Sequence, residues 1–492
     1  MKFSVLPIVL SLASCARSDI VFTNEGPIKG RFVKVLDNEI KEFLGIPYAK
    51  PPIGSLRFKK PQAAEPWHGV YDATQARDSC VQPVYWEVFE IPTALSEDCL
   101  YLNVWKPFSS TRYGFPVLFW VHGGMFQVGS AYEARYNGSA LAALNNVVVV
   151  SCNFRLSLLS FMDLNHTMTP GNLALWDQRA ALQWVQRNIR AFGGDPGSVT
   201  VFGESSGAML IHGHILSPHS RGLFHRVFLM SGSMSTDSCV NSVPKSIAGV
   251  NRISEALGCG RYEGATDPAE LLDCLRDLPA QDMCAVKSGI LRPTYENEFI
   301  PCRPSFAMKE GYFENYDAMI HSNFLLIPFV TNVHSSPAIT YIDSIHFENK
   351  DALRNTIADI LGDRLFYCPS RAFAEQYSSK GNNVYAVVFG HRSEKSRLPK
   401  WFGATHLQEV EFVFGIPFLN ELNYTDKDRE FSTTVMEMLA SFARSGRPTL
   451  PNGEELPKFA PEHPDFMWLE AGNYTVVEDF AAAACEMWKH SF

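Results

Sequence analysis

Continuous apolar runs and a helical pattern alternate through the middle of the chain. Four short runs hold almost no polar residue, which is typical of strands buried on both faces of a mostly parallel sheet. They are 117–121, 147–151, 200–202 and 227–230. Residues 175–192 instead carry apolar side chains every three or four positions, which predicts a helix that ends at Gly193 and Gly194. This alternation predicts an α/β fold with right-handed crossovers.

The same pattern continues past the midpoint of the chain. It predicts a buried strand at 384–389 and an amphipathic helix at 431–443 that ends near Gly446. No linker-like run, charge block or repeat of fixed period divides the sequence. With 492 residues, of which 46% are hydrophobic, the chain is long enough to bury a large core. We therefore expect one compact domain over 17–492.

The balance of charge argues against two classes of partner. A formal net charge of −9 gives no electrostatic reason to bind nucleic acid or an anionic membrane surface. It mildly favours cationic ligands, although many secreted enzymes are acidic for solubility alone.

The first sixteen residues have the pattern of a signal peptide. Lys2 precedes an apolar run over 3–13, and the small residues Ser14 and Ala16 predict cleavage near Ala16. A bacterial lipoprotein box at 12–15 is the alternative interpretation. No run reaches the ~20 apolar residues that a membrane helix needs. We therefore expect a secreted, extracellular protein without a membrane span.

Cysteines and glycosylation sequons fit the same route. Of the eleven cysteines, one lies in the predicted signal peptide, and the ten that remain are an even number in a compartment that permits disulfides. The sequence alone does not pair them. Four N-x-S/T sequons predict N-linked glycans. They begin at Asn137, Asn165, Asn423 and Asn473.

A G-x-S-x-G motif stands between an apolar strand and a run compatible with a helix. It comprises residues 203–207 and centres on Ser205. A strand that turns sharply into a helix needs glycine on both sides of the serine, and the turn exposes the serine hydroxyl at the helix N-terminus. We therefore expect Ser205 to be a catalytic nucleophile.

A serine nucleophile also needs donors that hold the oxyanion formed after attack. The stretch His122-Gly123-Gly124-Met125 follows a predicted strand, and its glycines let backbone N–H groups turn towards a carbonyl oxygen. We expect the oxyanion hole to consist of the N–H groups of Gly124, Met125 and Ser206.

Longer motifs resemble the type-B carboxylesterases and, among them, the cholinesterases. Residues 96–104 read SEDCLYLNV, which is similar to the EDCLYLN signature of that family, and 202–231 resembles it as well. Residues 401–415, WFGATHLQEVEFVFG, are similar to the cholinesterase segment that carries the catalytic histidine. The resemblance covers 19–485. It implies an α/β-hydrolase fold, with a mostly parallel central sheet flanked by helices, and neither metal nor cofactor.

By this resemblance His406 is the general base, and its place after Ser205 agrees with the Ser, acid, His order of such enzymes. The resemblance also implies three disulfides, each stabilising by about 2–4 kcal/mol. They are Cys80–Cys99, Cys259–Cys274 and Cys368–Cys485. The unassigned cysteines are Cys152, Cys239, Cys284 and Cys302, and a bridge between the last two is left open.

The resemblance fails at the third member of the triad. The family carries a glutamate in a segment resembling GxNKDEGS, just after a strand, and in the equivalent stretch 330–336 that position holds Ser335. Serine has no charge with which to stabilise an imidazolium, and neutralising the acid of a serine protease costs about 10⁴ in turnover. Substitute acids that follow it are Asp343, Glu348 and Asp351. The chain is also shorter than the family after Ser335, which predicts an open pocket. An alternative transcript or a faulty gene model would explain both departures.

The side chains that would hold choline are poorly matched. Ala338 and Ile339 stand where cholinesterases have phenylalanines, and Gln127 replaces a gorge tyrosine. The tryptophan that would stack on a quaternary ammonium has no clear equivalent. Tyr136 and Glu204 are retained, and Glu204 would either favour a cationic group or serve a local hydrogen-bond network. Acetylcholine is therefore not favoured as the substrate.

Taken together, the sequence predicts a secreted serine hydrolase that cleaves small carboxylic esters through an acyl-enzyme. The alternative is a catalytically weak or silent relative that binds a ligand or partner protein, as the adhesion members of this family do. Ser205 and His406 favour hydrolysis, whereas Ser335 favours the alternative. Homodimer formation is left open.

Overall fold

A computed structural model describes residues 19–83, 91–236, 239–262, 268–286, 291–323 and 350–489, with the side chains of Asn323, 350–354 and Glu421 left out. The strands are β1 Ile20–Phe22, β2 Pro27–Lys29, β3 Arg31–Val35, β4 Asn38–Pro47, β5 Tyr71–Asp72, β6 Ser79–Cys80, β7 Leu95–Ser96, β8 Tyr101–Pro107, β9 Phe115–Val121, β10 Val148–Cys152, β11 Asp163–His166, β12 Thr169–Pro170, β13 Gly194–Glu204, β14 Arg226–Met230, β15 Asp317–Asn323, β16 Val384–Phe389, β17 Asp465–Glu470 and β18 Asn473–Glu478.

Helices flank these strands along most of the chain. They are α1 Ser139–Asn145, α2 Leu158–Phe161, α3 Leu173–Asn188, α4 Ser206–Leu216, α5 Val243–Ala256, α6 Ala269–Asp277, α7 Ala280–Ala285, α8 Pro304–Glu310, α9 Lys350–Gly362, α10 Cys368–Ser379, α11 Gln408–Val413, α12 Asp426–Ser445 and α13 Ala482–Trp488. None of the helices in the described residues is both long and apolar enough to cross a membrane.

An eleven-stranded sheet forms the centre of the fold. Its order is β18-β17-β16-β15-β14-β13-β9-β10-β8-β4-β3. The strands from β17 to β10 in this order pair in parallel, whereas the outer pairs at both ends are antiparallel. Parallel strands end at a common edge, so the residues that follow β9, β13 and β14 meet there, beside the carboxyl end of β15.

Alternate residues of the central strands face two separate hydrophobic cores. Val117, Phe119 and Val121 of β9 belong to the core that α3 and α4 also line. Leu118 and Trp120 face the opposite core, to which α12 contributes. Because both faces of the sheet are covered, no polar position interrupts the strand, and this explains the continuous apolar runs in the sequence.

The elements predicted from the sequence are present with shifted ends. The four apolar runs lie within or overlap β9, β10, β13 and β14, and the strand at 384–389 is β16. The helix predicted at 175–192 is α3 followed by a 3₁₀ turn over Ile189–Phe192, which ends at Gly193 with φ of 80°. These findings confirm the α/β-hydrolase fold class.

Helix α12 begins five residues before the apolar pattern does, because its N-terminus is capped. The hydroxyl of Thr425 accepts a hydrogen bond from the N–H of Asp428 at 3.2 Å, and the carboxylate of Asp428 accepts one from the N–H of Thr425 at 2.8 Å. This reciprocal capping box satisfies two backbone donors at the helix start. The helix ends at Gly446, where φ is 75°.

Strand β15 is the central strand that the apolar pattern does not predict. Its second half is polar, with His321, Ser322 and Asn323 at its carboxyl end. It nevertheless pairs in parallel with both β14 and β16. The strand expected just before Ser335 falls in 324–349, outside the described residues.

The three disulfides that the resemblance implies are present. Cys80 bonds to Cys99, Cys259 to Cys274, and Cys368 to Cys485. The last one joins the start of α10 to the C-terminal helix α13. Within the described chain, Cys284 and Cys302 form no bridge with each other.

Candidate active site

The turn between β13 and α4 holds Ser205 in a conformation that non-glycine residues rarely adopt. Its φ is 57° and its ψ is −126°. Such backbone strain persists only where the surroundings impose it. Here the N–H of Ser205 donates to the carbonyl oxygen of Met230, the last residue of β14, at 2.8 Å. The side chain lies at the carboxyl edge of the sheet, and the residue is 8% exposed.

Close packing against β9 explains the two glycines of the motif. A Cβ atom at Gly203 would lie 2.6 Å from the carbonyl oxygen of Val121, and one at Gly207 only 2.2 Å from the same oxygen. Any side chain at either position would push α4 away from β9. The motif therefore encodes a tight crossing of helix and strand as well as a sharp turn.

The glycine-rich loop after β9 packs directly on Ser205. A Cβ atom built on Gly123 would lie 3.2 Å from the Cβ atom of Ser205. Gly124, Met125 and Phe126 all have positive φ, which turns the loop back on itself. The hydroxyl of Ser206 accepts a hydrogen bond from the N–H of Phe126 at 3.3 Å and ties the loop to α4.

Three backbone donors next to Ser205 have no acceptor among the described residues. Two are the N–H groups of Gly124 and Met125. The third belongs to Ser206, which is the first residue of α4 and has no acceptor within the helix. Donors of this kind are fixed before reaction and suit the negative charge that develops on an ester oxygen.

The predicted base, His406, lies between a 3₁₀ turn at Lys400–Phe402 and α11. Its Nε2 atom is 2.9 Å from Oε1 of Glu204, the residue before the nucleophile. The side chain of Glu204 is fully buried and that of His406 is 10% exposed. Within the described residues His406 Nδ1 has no hydrogen-bond partner, and the hydroxyl of Ser205 is not hydrogen-bonded to His406.

Two opposing effects set the pKa of His406. Burial disfavours the charged imidazolium and is the largest effect, but the charge and close contact of Glu204, together with the charge of Glu409, outweigh it. The pKa of His406 is therefore raised above its usual value of 6.5. The surroundings therefore stabilise the imidazolium that forms when His406 accepts a proton from a nucleophile.

A second buried pair of glutamate and histidine lies beside the first. Oε1 of Glu409, on α11, is 3.7 Å from Nδ1 of His321, near the end of β15, and both side chains are fully buried. The hydroxyl of Ser231 donates to the same carboxylate oxygen at 3.3 Å. Sequence reasoning missed both roles, although Glu409 falls in the family-like segment that contains His406. A histidine within a buried strand is the one signal that could have drawn attention to His321.

The predicted acid positions fall where the structure describes no side chain. Ser335, Asp343 and Glu348 lie outside the described residues, as do Ala338 and Ile339. The backbone of Asp351 is in α9, but its side chain is not among those described.

The two gorge positions that the structure describes are both buried. Tyr136 packs its ring on Trp120 with centroids 5.0 Å apart. Burial and the charges of nearby carboxylates, Glu133 first among them, raise its pKa well above the usual value. Gln127 is also buried. Among the described residues no group of three or more histidine, cysteine or acidic side chains is arranged to hold a metal ion.

Three of the four sequon asparagines are exposed. They are Asn165, Asn423 and Asn473. Asn137 is half-buried, and its side-chain oxygen accepts a hydrogen bond from the N–H of Ser139 at 3.0 Å.

Comparison with known proteins finds similarity over nearly the whole chain. The sequence model of the carboxylesterase family matches residues 17–324 and 332–488. An acetylcholinesterase of Bungarus fasciatus is 32% identical over 524 residues, which cover 96% of this chain and 86% of that protein. A cholinesterase of Mus musculus is 32% identical over 530 residues, which cover 96% of this chain and 87% of that one. The chain therefore belongs to the carboxylesterase family.

Proposed function

We propose that this protein is a secreted serine hydrolase that cleaves carboxylic esters through an acyl-enzyme. Membership of the carboxylesterase family supports ester hydrolysis by a serine hydrolase. The observation that carries the proposal is the backbone of Ser205, held at φ of 57° in a turn against the glycine loop of Gly123 and Gly124. Strain of this kind, next to N–H groups that have no acceptor among the described residues, is typical of the turn that carries a serine nucleophile.

In the proposed reaction the hydroxyl oxygen of Ser205 attacks the ester carbonyl carbon while its proton passes to His406. The N–H groups of Gly124, Met125 and Ser206 hold the oxyanion of the tetrahedral intermediate. The intermediate collapses, the alcohol leaves with the proton from His406, and the acyl group stays on Ser205. Water then repeats the same steps and releases the carboxylic acid.

We infer that the substrates are small esters without a quaternary ammonium. The two relatives carry the names acetylcholinesterase and cholinesterase, but they share only 32% of aligned residues with this chain. At the positions that would contact choline, Gln127 replaces an aromatic side chain, and Ala338 and Ile339 offer no ring for cation–π contact. We expect kcat/KM for phenyl acetate to exceed that for acetylcholine, and the reverse order would contradict this assignment.

We also propose that residues 1–16 are removed on secretion and that 17–492 form a single domain. The three disulfides support this route, because such bonds persist in oxidising compartments. The exposed sequons at Asn165, Asn423 and Asn473 support it as well. N-terminal sequencing and glycan mapping of the secreted protein would test both statements.

Covalent labelling gives the most direct test of the nucleophile. The purified protein is treated with an organophosphate and assayed with nitrophenyl acetate, alongside Ser205→Ala and Ser441→Ala. Ser441 is a matched control, because it is a similarly buried serine on α12, away from the turn. We expect label and turnover in the wild type and in Ser441→Ala, and neither in Ser205→Ala.

One observation favours a second candidate, a silent binding protein of the same family. Within the described residues Nε2 of His406 contacts Glu204, and the hydroxyl of Ser205 is not hydrogen-bonded to the ring. Ser335, at the position of the family's acid, points the same way. A wild-type protein that is folded but shows neither label nor turnover would reject the hydrolase and leave the second candidate.

A further inference from the structure

The buried carboxylate of Glu204, the residue before the nucleophile, lies in direct contact with the imidazole of His406. We propose that Glu204 is a positioning residue that supplies the negative charge for the protonated imidazole of His406, in place of the glutamate absent at Ser335. The proposal rests on the hydrolase function proposed above. It differs from the sequence-based expectation that the substitute acid follows Ser335 at Asp343, Glu348 or Asp351.

Backbone pairing fixes the place of Glu204. It is the last residue of β13, where it pairs with Met230 of β14. The glycine loop closes over its side chain, since a Cβ atom at Gly123 would lie 2.8 Å from Oε2 of Glu204. The carboxylate is therefore held on a rigid strand end, out of water, with Oε1 2.9 Å from Nε2 of His406.

Burial increases the energetic importance of the contact between Glu204 and His406. A carboxylate without water loses a large solvation energy unless a cation or hydrogen-bond donors compensate for it. Apart from the imidazole contact, neither oxygen of Glu204 has a hydrogen-bond donor among the described residues. The ion pairs within the described chain give Glu204 one cationic partner, His406. Each group therefore stabilises the charged form of the other.

The charged groups near Glu204 and His406 form contacts with other residues. Glu409, which also acts on His406, faces His321 and accepts a hydrogen bond from Ser231. The charge of Glu204 also acts on Arg135, but the guanidinium of Arg135 lies 3.2 Å from the carboxylate of Glu133.

The charge of Glu204 also acts on Tyr136. The tyrosine is neutral at physiological pH, because burial raises its pKa well above the usual value. Among the described residues, the imidazole also contacts the ring of Phe366, with centroids 4.5 Å apart. The phenylalanine ring carries no charge.

The contact is suited to the step in which Ser205 loses its proton. His406 then becomes an imidazolium, and a fixed anion at hydrogen-bond distance lowers the energy of that state. Nε2 is the nitrogen that faces Glu204. In the proposed resting pair Nε2 therefore carries the proton and the lone pair is on Nδ1. A neutral Ser335 cannot supply this charge, whereas Glu204 can.

The test combines a titration with kinetics on the full-length secreted protein. The imidazole of His406 is titrated by NMR in the wild type, Glu204→Gln, Glu204→Asp and Glu133→Gln, and kcat and KM for nitrophenyl acetate are measured in each. Glu133→Gln is the matched control, because Glu133 is a buried glutamate 3.2 Å from Arg135 and is not one of the carboxylates that raise the pKa of His406.

We expect Glu204→Gln to lower the pKa of His406 by about one to three pH units, since an opposite charge has been removed. Its kcat should fall by more than ~10²-fold, towards the ~10⁴-fold loss that neutralising a triad acid causes, with KM little changed. Glu204→Asp should restore most of the pKa, because it restores the charge. Glu133→Gln should behave like the wild type in both measurements.

Two outcomes overturn the proposal. The first is a pKa of His406 that is the same in Glu204→Gln as in the wild type. This result rejects the proposal even if the wild type hydrolyses no ester, so the test of the Glu204 role is independent of the test of the hydrolase function. The second is a far larger loss of kcat in Asp343→Asn, Glu348→Gln or Asp351→Asn than in Glu204→Gln. Such a loss would show that the acid follows Ser335 in the chain.

Discussion

At the scale of single residues, the surroundings of Ser205 combine a close steric fit with buried charge. The glycines around it allow α4 and the loop after β9 to approach within contact distance. The glutamates around it, Glu204 and Glu409, both raise the pKa of His406 against the opposing effect of burial. The first property fixes where the hydroxyl lies, and the second determines the pH at which a proton can leave it.

The raised pKa of His406 predicts the pH dependence of turnover. A general base must be neutral to accept a proton, and a histidine whose pKa exceeds 6.5 is largely protonated at pH 6. We therefore expect kcat/KM for phenyl acetate to fall on the acid side with a midpoint above pH 6.5. The midpoint should move to lower pH in Glu409→Gln, because one of the two charges that raise the pKa is lost. A midpoint at or below 6.5 in the wild type would contradict this expectation.

The tight crossing at Gly207 predicts a steric defect. A Cβ atom there would lie 2.2 Å from a backbone oxygen of β9, so Gly207→Ala should destabilise the fold by about 1–3 kcal/mol, as overpacking does. It should also lower esterase activity, because α4 carries Ser206 at its first turn. Gly213→Ala, on the same helix, is the control: its Cβ atom meets only side-chain atoms at 3.3 Å or beyond. Urea unfolding of both variants measures the difference, and equal stabilities would refute the steric argument.

At the scale of elements, sequence patterns predict the strands that are buried on both faces and fail where a strand carries polar residues. β9, β10 and β16 are visible in the sequence because α-helices cover both sides of the sheet. β15 is not, since His321, Ser322 and Asn323 occupy its carboxyl end, where strands meet the site rather than the core. The candidate site is also predicted only in part. Ser205 is predicted from a local motif, and His406 from a segment that resembles the family. The contact between Glu204 and His406 joins distant parts of the chain, and only the fold reveals it.

The capping box of α12 predicts a measurable contribution at the start of that helix. Thr425→Ala removes the oxygen that accepts a hydrogen bond from Asp428 N–H, so we expect a loss of about 1 kcal/mol of stability. Thr433→Ala, at an exposed position in the middle of the same helix, should be near neutral. Chemical denaturation of both variants decides between them, and an equal loss in each would show that the cap contributes nothing.

At the scale of the whole molecule, one covalent bond connects elements that are far apart in sequence. Cys368 at the start of α10 and Cys485 in α13 are 117 residues apart, whereas Cys259 and Cys274 are separated by 15. In the chain-entropy account, a cross-link stabilises the native state by restricting the unfolded chain, and the effect grows slowly with loop length. The long loop includes α11, α12 and the segment with His406, so this bridge restrains the part of the chain that carries the predicted base.

We therefore expect the two bridges to differ in their effect on stability but not in their direct effect on the site. Replacing Cys368 and Cys485 together by alanine should cost about 4–5 kcal/mol, and replacing Cys259 and Cys274 about 3 kcal/mol. Both double variants should keep kcat near the wild-type value at temperatures where they remain folded, since the ion pair and ring contact described for His406 involve Glu204 and Phe366 and neither bridge. Unfolding curves in denaturant, read beside single-temperature kinetics, measure the two quantities separately. If the short loop proved the more stabilising, loop entropy would not be the main source of stability from these bonds, and native-state contacts around Cys259 and Cys274 would have to account for the difference.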